Sequence, residues 1–93
     1  MTDLSSIASS KPDLAIWPYP HIELKDDSPY VVGSSVPVRR LWDWHKRGLP
    51  IATLILRYPT LGPAKVLSAL AFAYDNTARV EWDLVMAAQS LLK

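Results

Sequence analysis

Alternating polar and apolar residues mark the first recognisable element of this chain. Residues 21 to 25, HIELK, alternate as a half-buried strand does, and residues 30 to 32, YVV, form a second short apolar run. The residues between them, DDSP, are typical of a turn. The pattern predicts a β-hairpin. Because two strands alone are marginally stable in water, we expect the hairpin to pack on helices or to pair with a second copy of the chain.

A helix over about residues 37 to 47 is predicted next. Pro37 suits the first turn of a helix, and Gly48 suits the position just past its end. Helical spacing separates an apolar stripe from a charged arc, with Trp44 at the margin between them. The stripe consists of Val38, Leu41, Trp42 and His45. The arc consists of Arg39, Arg40, Asp43, Lys46 and Arg47.

Proline and glycine mark the ends of two further predicted helices. Pro50 can open a short helix that Pro59 must end, and a longer one is predicted from Gly62 and Pro63 to Tyr74. The longer helix has an inner and an outer face. The inner face is predicted to hold Val66, Leu70 and Ala73, flanked by Leu67 and Ala69. The outer face is predicted to hold Ala64, Ser68, Ala71 and Asp75.

A last helix is predicted to run toward Lys93, capped by Asn76 or Thr77. Its main apolar stripe consists of Val80, Leu84, Ala87 and Leu91. Three more large apolar residues, Trp82, Val85 and Met86, lie away from that stripe. A helix that is apolar on more than one side usually has more than one neighbour, so we expect this helix to form part of an interface.

Length and composition narrow the class of protein. The chain has 93 residues and no cysteine, which fits one small domain with tails and excludes disulfides, thiolate metal sites and cysteine nucleophiles. Residues 1 to 20 are rich in serine and broken by proline, so we expect a flexible or extended arm there, followed by a domain over 21 to 75 and the last helix over 76 to 93. Residues 1 to 20 lack the features of a signal peptide, and we expect a cytoplasmic protein.

The charged residues are unevenly distributed. Residues 36 to 66 hold six basic groups against Asp43 alone, a net charge of +5, whereas both flanking regions are acidic. This basic centre predicts contacts with DNA phosphates. The candidate residues are Arg39, Arg40, Lys46, Arg47, Arg57 and Lys65. The competing interpretation is that they form a solvated helix face.

Catalysis and metal binding have little support in the sequence. The chain has two histidines, His21 and His45, without metal-ligand spacing, and His45 falls on an apolar helix face, where a structural role is expected. There is no glycine-rich phosphate loop. We therefore expect no enzyme, no metal and no cofactor.

The third predicted helix is a poor reader of base sequence. It offers Ala64, Lys65, Ser68 and Ala71 outward, whereas base edges are read by side chains such as arginine, asparagine or glutamine. Small residues at helical spacing suit close helix packing, which favours a homo-oligomer, although this helix and the last one can equally pack on each other. The candidate partner or oligomer interface consists of Trp17, Tyr19, Ala64, Ser68, Ala71, Trp82, Val85 and Met86.

The order of several short motifs resembles the bacterial domain-of-unknown-function family 433. The matching pieces are GSSVPV at residues 33 to 38, Gly48, Tyr58-Pro59 followed by Leu61, and VLSALAFAY at residues 66 to 74. The resemblance implies a mainly α-helical fold, in which a short hairpin precedes a homeodomain-like helix-turn-helix core of three helices. It also implies an antitoxin, because members often lie beside genes for PIN-like ribonuclease toxins.

The chain departs from the family pattern at several places, and several acids usual in the family appear here as Leu56, Arg57, Ala64 and Lys65. Ser35 stands where the family has an arginine, and Pro50-Ile51-Ala52-Thr53 stands where it commonly has Ser-x-Glu-Glu. These changes make the centre more apolar and more basic. Two functions are therefore expected. One is an antitoxin that binds a PIN-like ribonuclease and also operator DNA; the alternative is a protein-interaction or assembly module without a nucleic-acid role.

Overall fold

A computed structural model describes residues 19 to 91 and confirms a mainly helical fold with an N-terminal hairpin. Within that range the strands are β1 (Ile22–Lys25) and β2 (Ser28–Val31). The helices are α1 (Val38–Lys46), α2 (Ile51–Arg57), α3 (Gly62–Asp75) and α4 (Thr77–Leu91). The bounds agree with the predicted ones to within a few residues. The predicted arm, apart from its last two residues, lies outside the described residues, and so does Trp17.

The hairpin closes through a two-residue loop. Asp26 and Asp27 both have positive φ, 51° and 65°, as a type I′ turn requires, and aspartate is among the residues that tolerate this conformation. The loop is shorter than the predicted turn, because β2 begins at Ser28 and includes Pro29. Pro29 pairs with Leu24 at a position where the ladder needs no N–H from it, so the proline costs no hydrogen bond.

The segment after β2 folds back along that strand. The Ser34 hydroxyl donates to the Val31 carbonyl at 2.8 Å and accepts from the Val36 amide at 3.1 Å, which holds the turn in shape. Val31 then donates its own amide to the Val36 carbonyl at 3.0 Å, and Pro37 forms a bridge with Tyr30. The outer edge of β2 is covered in this way, and α1 begins directly afterwards.

The core lies where α1 meets α3, α4 and the hairpin. Its fully buried large side chains include Phe72, Leu41 and Leu54. On α3 the buried arc is shifted from the predicted one, because the Tyr19 ring packs edge-on against Phe72 at 5.2 Å and extends the core to that side. Leu67, predicted to flank the buried face, is instead 47% exposed.

A buried ion pair fastens α4 to the hairpin loop. Arg79 and Asp83 are 4% and 5% exposed, and Arg79 Nε lies 3.3 Å from Asp83 Oδ1. The Arg79 guanidinium also donates to the Asp27 carbonyl in the loop, and its centre lies 5.7 Å from the Trp82 ring. A buried arginine needs such partners for its charge, and they explain why α4 packs here.

Candidate functional site

The first turn of α1 holds two basic side chains, Arg39 and Arg40. Arg40 is exposed and Arg39 is half-buried. Within residues 19 to 91 neither guanidinium forms an ion pair or a hydrogen bond with another side chain. Both charges are available to an anionic ligand such as a phosphate.

The last turn of α1 differs, because its two basic side chains are already paired. Lys46 Nζ lies 2.8 Å from Glu81 Oε2, and Arg47 Nε lies 3.2 Å from Asp43 Oδ1. Trp42 Nε1 also donates to Glu81, at 3.1 Å. The hydrogen bond from Lys46 lowers the pKa of Glu81, against the opposite effect of burial, and Trp42 adds to the lowering.

The two remaining candidates for phosphate contact serve the fold. The Arg57 guanidinium lies 4.3 Å from the centre of the Trp44 ring, and this cation–π contact joins α2 to α1. Lys65 Nζ donates to the Val32 carbonyl at 3.2 Å, which ties α3 to the turn after β2. The fold therefore brings Arg39 and Arg40 together and disperses the other four basic groups among different partners.

His45 belongs to an aromatic cluster between α1 and α3. Its Nε2 lies 2.5 Å from the Tyr74 hydroxyl, and the Tyr74 ring packs edge-on against Trp42 at 5.0 Å. These contacts agree with a structural role for His45. Among the residues that the structure describes, no group of three or more histidine, cysteine or acidic side chains could hold a metal ion.

The outward face of α3 is apolar except for the exposed Asp75 at its C-terminal end. Leu67 and Tyr74 are 47% and 60% exposed, and Ala64 and Ala71 are exposed beside them, whereas Lys65 and Ser68 are half-buried. From Gly62 to Asp75 the helix contains no arginine, asparagine or glutamine. Its exposed face can bury apolar surface against another protein, but it lacks the side chains that form paired hydrogen bonds with base edges.

Two other helices also expose large apolar side chains. Val85 and Met86 on α4 are 54% and 43% exposed, and Trp82 beside them is half-buried. On α2, Leu56 is 79% exposed and Ile51 is 39% exposed. Sequence reasoning did not place Leu56 and Leu67 at an interface. The available signal for Leu56 was a leucine where the family usually has an acidic residue.

An open groove runs between α1 and α4. Its lining residues are Asp43, Lys46, Arg47, Leu84, Val85, Ala87 and Ala88. The lining residues from α4 are apolar. The charged lining residues are already paired, Asp43 with Arg47 and Lys46 with Glu81. The groove therefore offers no unpaired charge to a ligand.

A comparison with protein-family models identifies the central part of the chain. Residues 28–73 match the family described as "Protein of unknown function (DUF433)". The chain belongs to the DUF433 family. The matched segment contains β2, α1, α2 and nearly all of α3. The strand β1 and the helix α4 lie outside it.

Comparisons with curated proteins and with solved structures give no significant match to the chain. In the part of the chain from residue 19 to residue 91, no helix is long and apolar enough to cross a membrane.

Proposed function

We propose that this DUF433 protein is a non-catalytic, cytoplasmic protein-binding module of antitoxin type, whose partner is a PIN-like ribonuclease. The observation that supports this function is the apolar outward face of α3. In a helix-turn-helix protein that reads DNA, this helix carries the polar base-reading side chains. Here the same position exposes Leu67 and Tyr74.

Exposure of such side chains favours a protein partner. Large apolar groups that cluster on a surface commonly mark interaction sites, and aromatic residues are enriched at the centre of interfaces. Leu67 and Tyr74 are spaced seven residues apart on α3, with Ala71 between them, and this spacing places them on one face. The small side chains of Ala64 and Ala71 would allow a partner to approach the helix closely. The nature of the partner rests on the resemblance to antitoxins.

The proposal is tested by inhibition of the nuclease encoded beside the chain. Full-length chain is titrated against the purified nuclease, and the apparent affinity is read from residual ribonuclease activity. We expect L67E to weaken inhibition at least about tenfold, because it places a charge in a desolvated contact.

Val85 offers a matched control, since it is a similarly exposed apolar residue on α4. We expect V85E to inhibit as well as the native chain. Equal inhibition by L67E and the native chain would show that the α3 face is not the contact. Failure of the native chain to inhibit would contradict the antitoxin role itself.

A second candidate function is contact with DNA phosphates, and the observation that favours it is that Arg39 and Arg40 have no ion-pair partner among residues 19 to 91. A gel-shift titration against the chain's own promoter region, at two salt concentrations, measures it. We expect R39E/R40E to abolish the shift at low salt, because about two phosphate contacts are lost. R47E is the control, since Arg47 already has Asp43 as a partner. No shift by the native chain at low salt would remove the DNA role.

A further inference from the structure

The outer edge of β1 is open at one residue. The Val32 amide donates to the His21 carbonyl at 2.8 Å, which makes these two residues a hydrogen-bonded pair of the ladder. Hydrogen-bonded and non-hydrogen-bonded pairs alternate in an antiparallel ladder, so Leu24 and Pro29 form a non-hydrogen-bonded pair. The amide and carbonyl of Leu24 therefore point away from β2. No other residue in the described range bonds them.

Two other edge amides of the hairpin are already used. The Ile22 amide donates to the Tyr19 carbonyl at 3.1 Å, and the Val31 amide donates to the Val36 carbonyl at 3.0 Å. Leu24 is thus the position where another strand can add. Its side chain is also 42% exposed, although it lies on the same side of β1 as the buried Ile22.

Opposite charges flank this open position. Glu23 and Lys25 lie on either side of Leu24 along β1, with side chains that are 38% and 44% exposed. Charged side chains on a strand edge discourage pairing with most other strands. They favour a strand in which the same charges occur in the reverse order. An antiparallel copy of β1 meets this requirement.

We propose that β1 pairs in antiparallel register with β1 of a second copy, about a two-fold axis at Leu24. The two Leu24 residues then exchange both of their N–H···O bonds, and Glu23 of each copy lies opposite Lys25 of the other. Residues at these flanking positions come closest together in such a ladder. The result is a four-stranded sheet in the order β2-β1-β1-β2, and the contact is isologous, as expected for a dimer.

The contacts within each copy are compatible with this pairing. Glu23 Oε2 accepts from the Gly33 amide at 3.2 Å, and Lys25 Nζ donates to the Ser34 carbonyl at 2.5 Å. A carboxylate has a second oxygen, and an ammonium group has three protons, so both groups retain capacity for a partner in the other copy. The two exposed Leu24 side chains would meet on the helical side of the sheet.

Charge exchange at positions 23 and 25 tests the proposal. Sedimentation equilibrium of the full chain over a wide concentration range gives the dimer dissociation constant. K25E and E23K each place like charges opposite one another in the dimer, and we expect each to raise the dissociation constant about tenfold. The double variant E23K/K25E restores opposite charges and should recover native dimerisation.

An equimolar mixture of E23K and K25E provides the sharper result. In a mixed dimer every charged pair is complementary, so the mixture should associate more tightly than either variant alone. A role of Glu23 and Lys25 within one copy cannot produce this rescue. V85E controls for dimerisation through α4 and should leave the dissociation constant unchanged.

A native chain that stays monomeric throughout would overturn the proposal, as would a mixture no more associated than its components. Weaker dimerisation of V85E alone would place the contact on α4 instead. Because self-association is measured without nuclease or DNA, the result is independent of the proposed function.

Discussion

Two ion pairs in this protein have the same chemistry and the same spacing but opposite surroundings. Asp43 and Arg47 on α1 are joined at 3.2 Å, and Arg79 and Asp83 on α4 are joined at 3.3 Å. In both pairs the residues are four apart on a helix. The side chains of Asp43 and Arg47 are 31% and 69% exposed, whereas those of Arg79 and Asp83 are 5% and 3% exposed. The difference teaches that burial, more than distance, decides what an ion pair does.

The buried pair has a structural role. Water cannot solvate Arg79, so its guanidinium takes the Asp83 carboxylate and the Asp27 carbonyl, and it thereby couples α4 to the hairpin loop. The exposed pair is solvated, so it contributes little to the stability of the fold. The same two residue types therefore join a helix to the hairpin at one site and contribute little to stability at the other.

Removal of one partner of the buried pair should have the largest effect. R79M leaves the Asp83 carboxylate buried without its guanidinium, and the loop carbonyl of Asp27 without its donor. We expect R79M to lower the free energy of unfolding by about 3–5 kcal/mol, measured by urea denaturation.

A double variant distinguishes burial of charge from loss of packing. In R79M/D83L no buried charge remains at the site, since the Asp27 carboxylate nearby is 60% exposed, so we expect it to be more stable than R79M. If the double variant were the less stable of the two, the Asp83 carboxylate left alone would not be destabilising, and our account of the site would be wrong.

This pair also shows where sequence reasoning stops. The stripe of Val80 and Leu84 predicted α4, and its bounds agree with the structure. Nothing local predicts that Arg79 is buried, because its acceptor is a carbonyl in a loop 52 residues away. The available signal was the spacing of Arg79 and Asp83 beside the apolar stripe, but the same spacing at Asp43 and Arg47 is exposed.

The net charge of residues 36 to 66 overestimated the basic surface available to a ligand, and the reason is again tertiary packing. Segment charge counted Asp43 as the only acid near Lys46, but α4 brings Glu81 to 2.8 Å from it. Similarly, Trp44 lies under Arg57 and the Val32 carbonyl accepts from Lys65. The helices were predictable from local periodicity, whereas the partners of these charges depend on tertiary packing.

A change at Asp27 in the hairpin loop tests the contact between Arg79 and the hairpin. D27G and D27A both remove the Asp27 carboxylate and keep its carbonyl for Arg79. Asp27 has φ of 65°, which glycine adopts freely and alanine does not. We therefore expect D27A to be less stable than D27G by about 1 kcal/mol, measured by urea denaturation. Equal stabilities would mean that the loop does not keep this conformation.

The pair of Lys46 and Glu81 lies between the two extremes, with side chains 40% and 42% exposed. The pKa of Glu81 is lowered in the folded chain, mainly by its hydrogen bond with Lys46. Its ionised form thus stabilises the fold above the ordinary carboxyl pKa, and this contribution is lost as the pH falls through the lowered value. We expect E81Q to cost at most about 1 kcal/mol at pH 7, because solvent screens the pair.

A measurement at low pH provides the control for E81Q. Once Glu81 is protonated it resembles glutamine in charge, so the stability difference between the native chain and E81Q should shrink toward pH 3. Urea denaturation at the two pH values measures this. A difference that stayed constant would assign the effect of E81Q to Trp42, which donates to the same carboxylate.

The smallest effect is expected at the exposed pair of α1. A double-mutant cycle with D43A and R47A should give a coupling energy of about 0.3–0.5 kcal/mol, typical of helix pairs at this spacing, and high salt should reduce it. The corresponding cycle with R79A and D83A should give a several-fold larger coupling that salt hardly changes, since water and ions do not reach the site. The two pairs have nearly the same atom separation, and the reversed order of acid and base along the helix is worth only a few tenths of a kcal/mol, so a several-fold difference would come from their surroundings. Similar couplings in both cycles would show that burial does not decide the strength of these ion pairs.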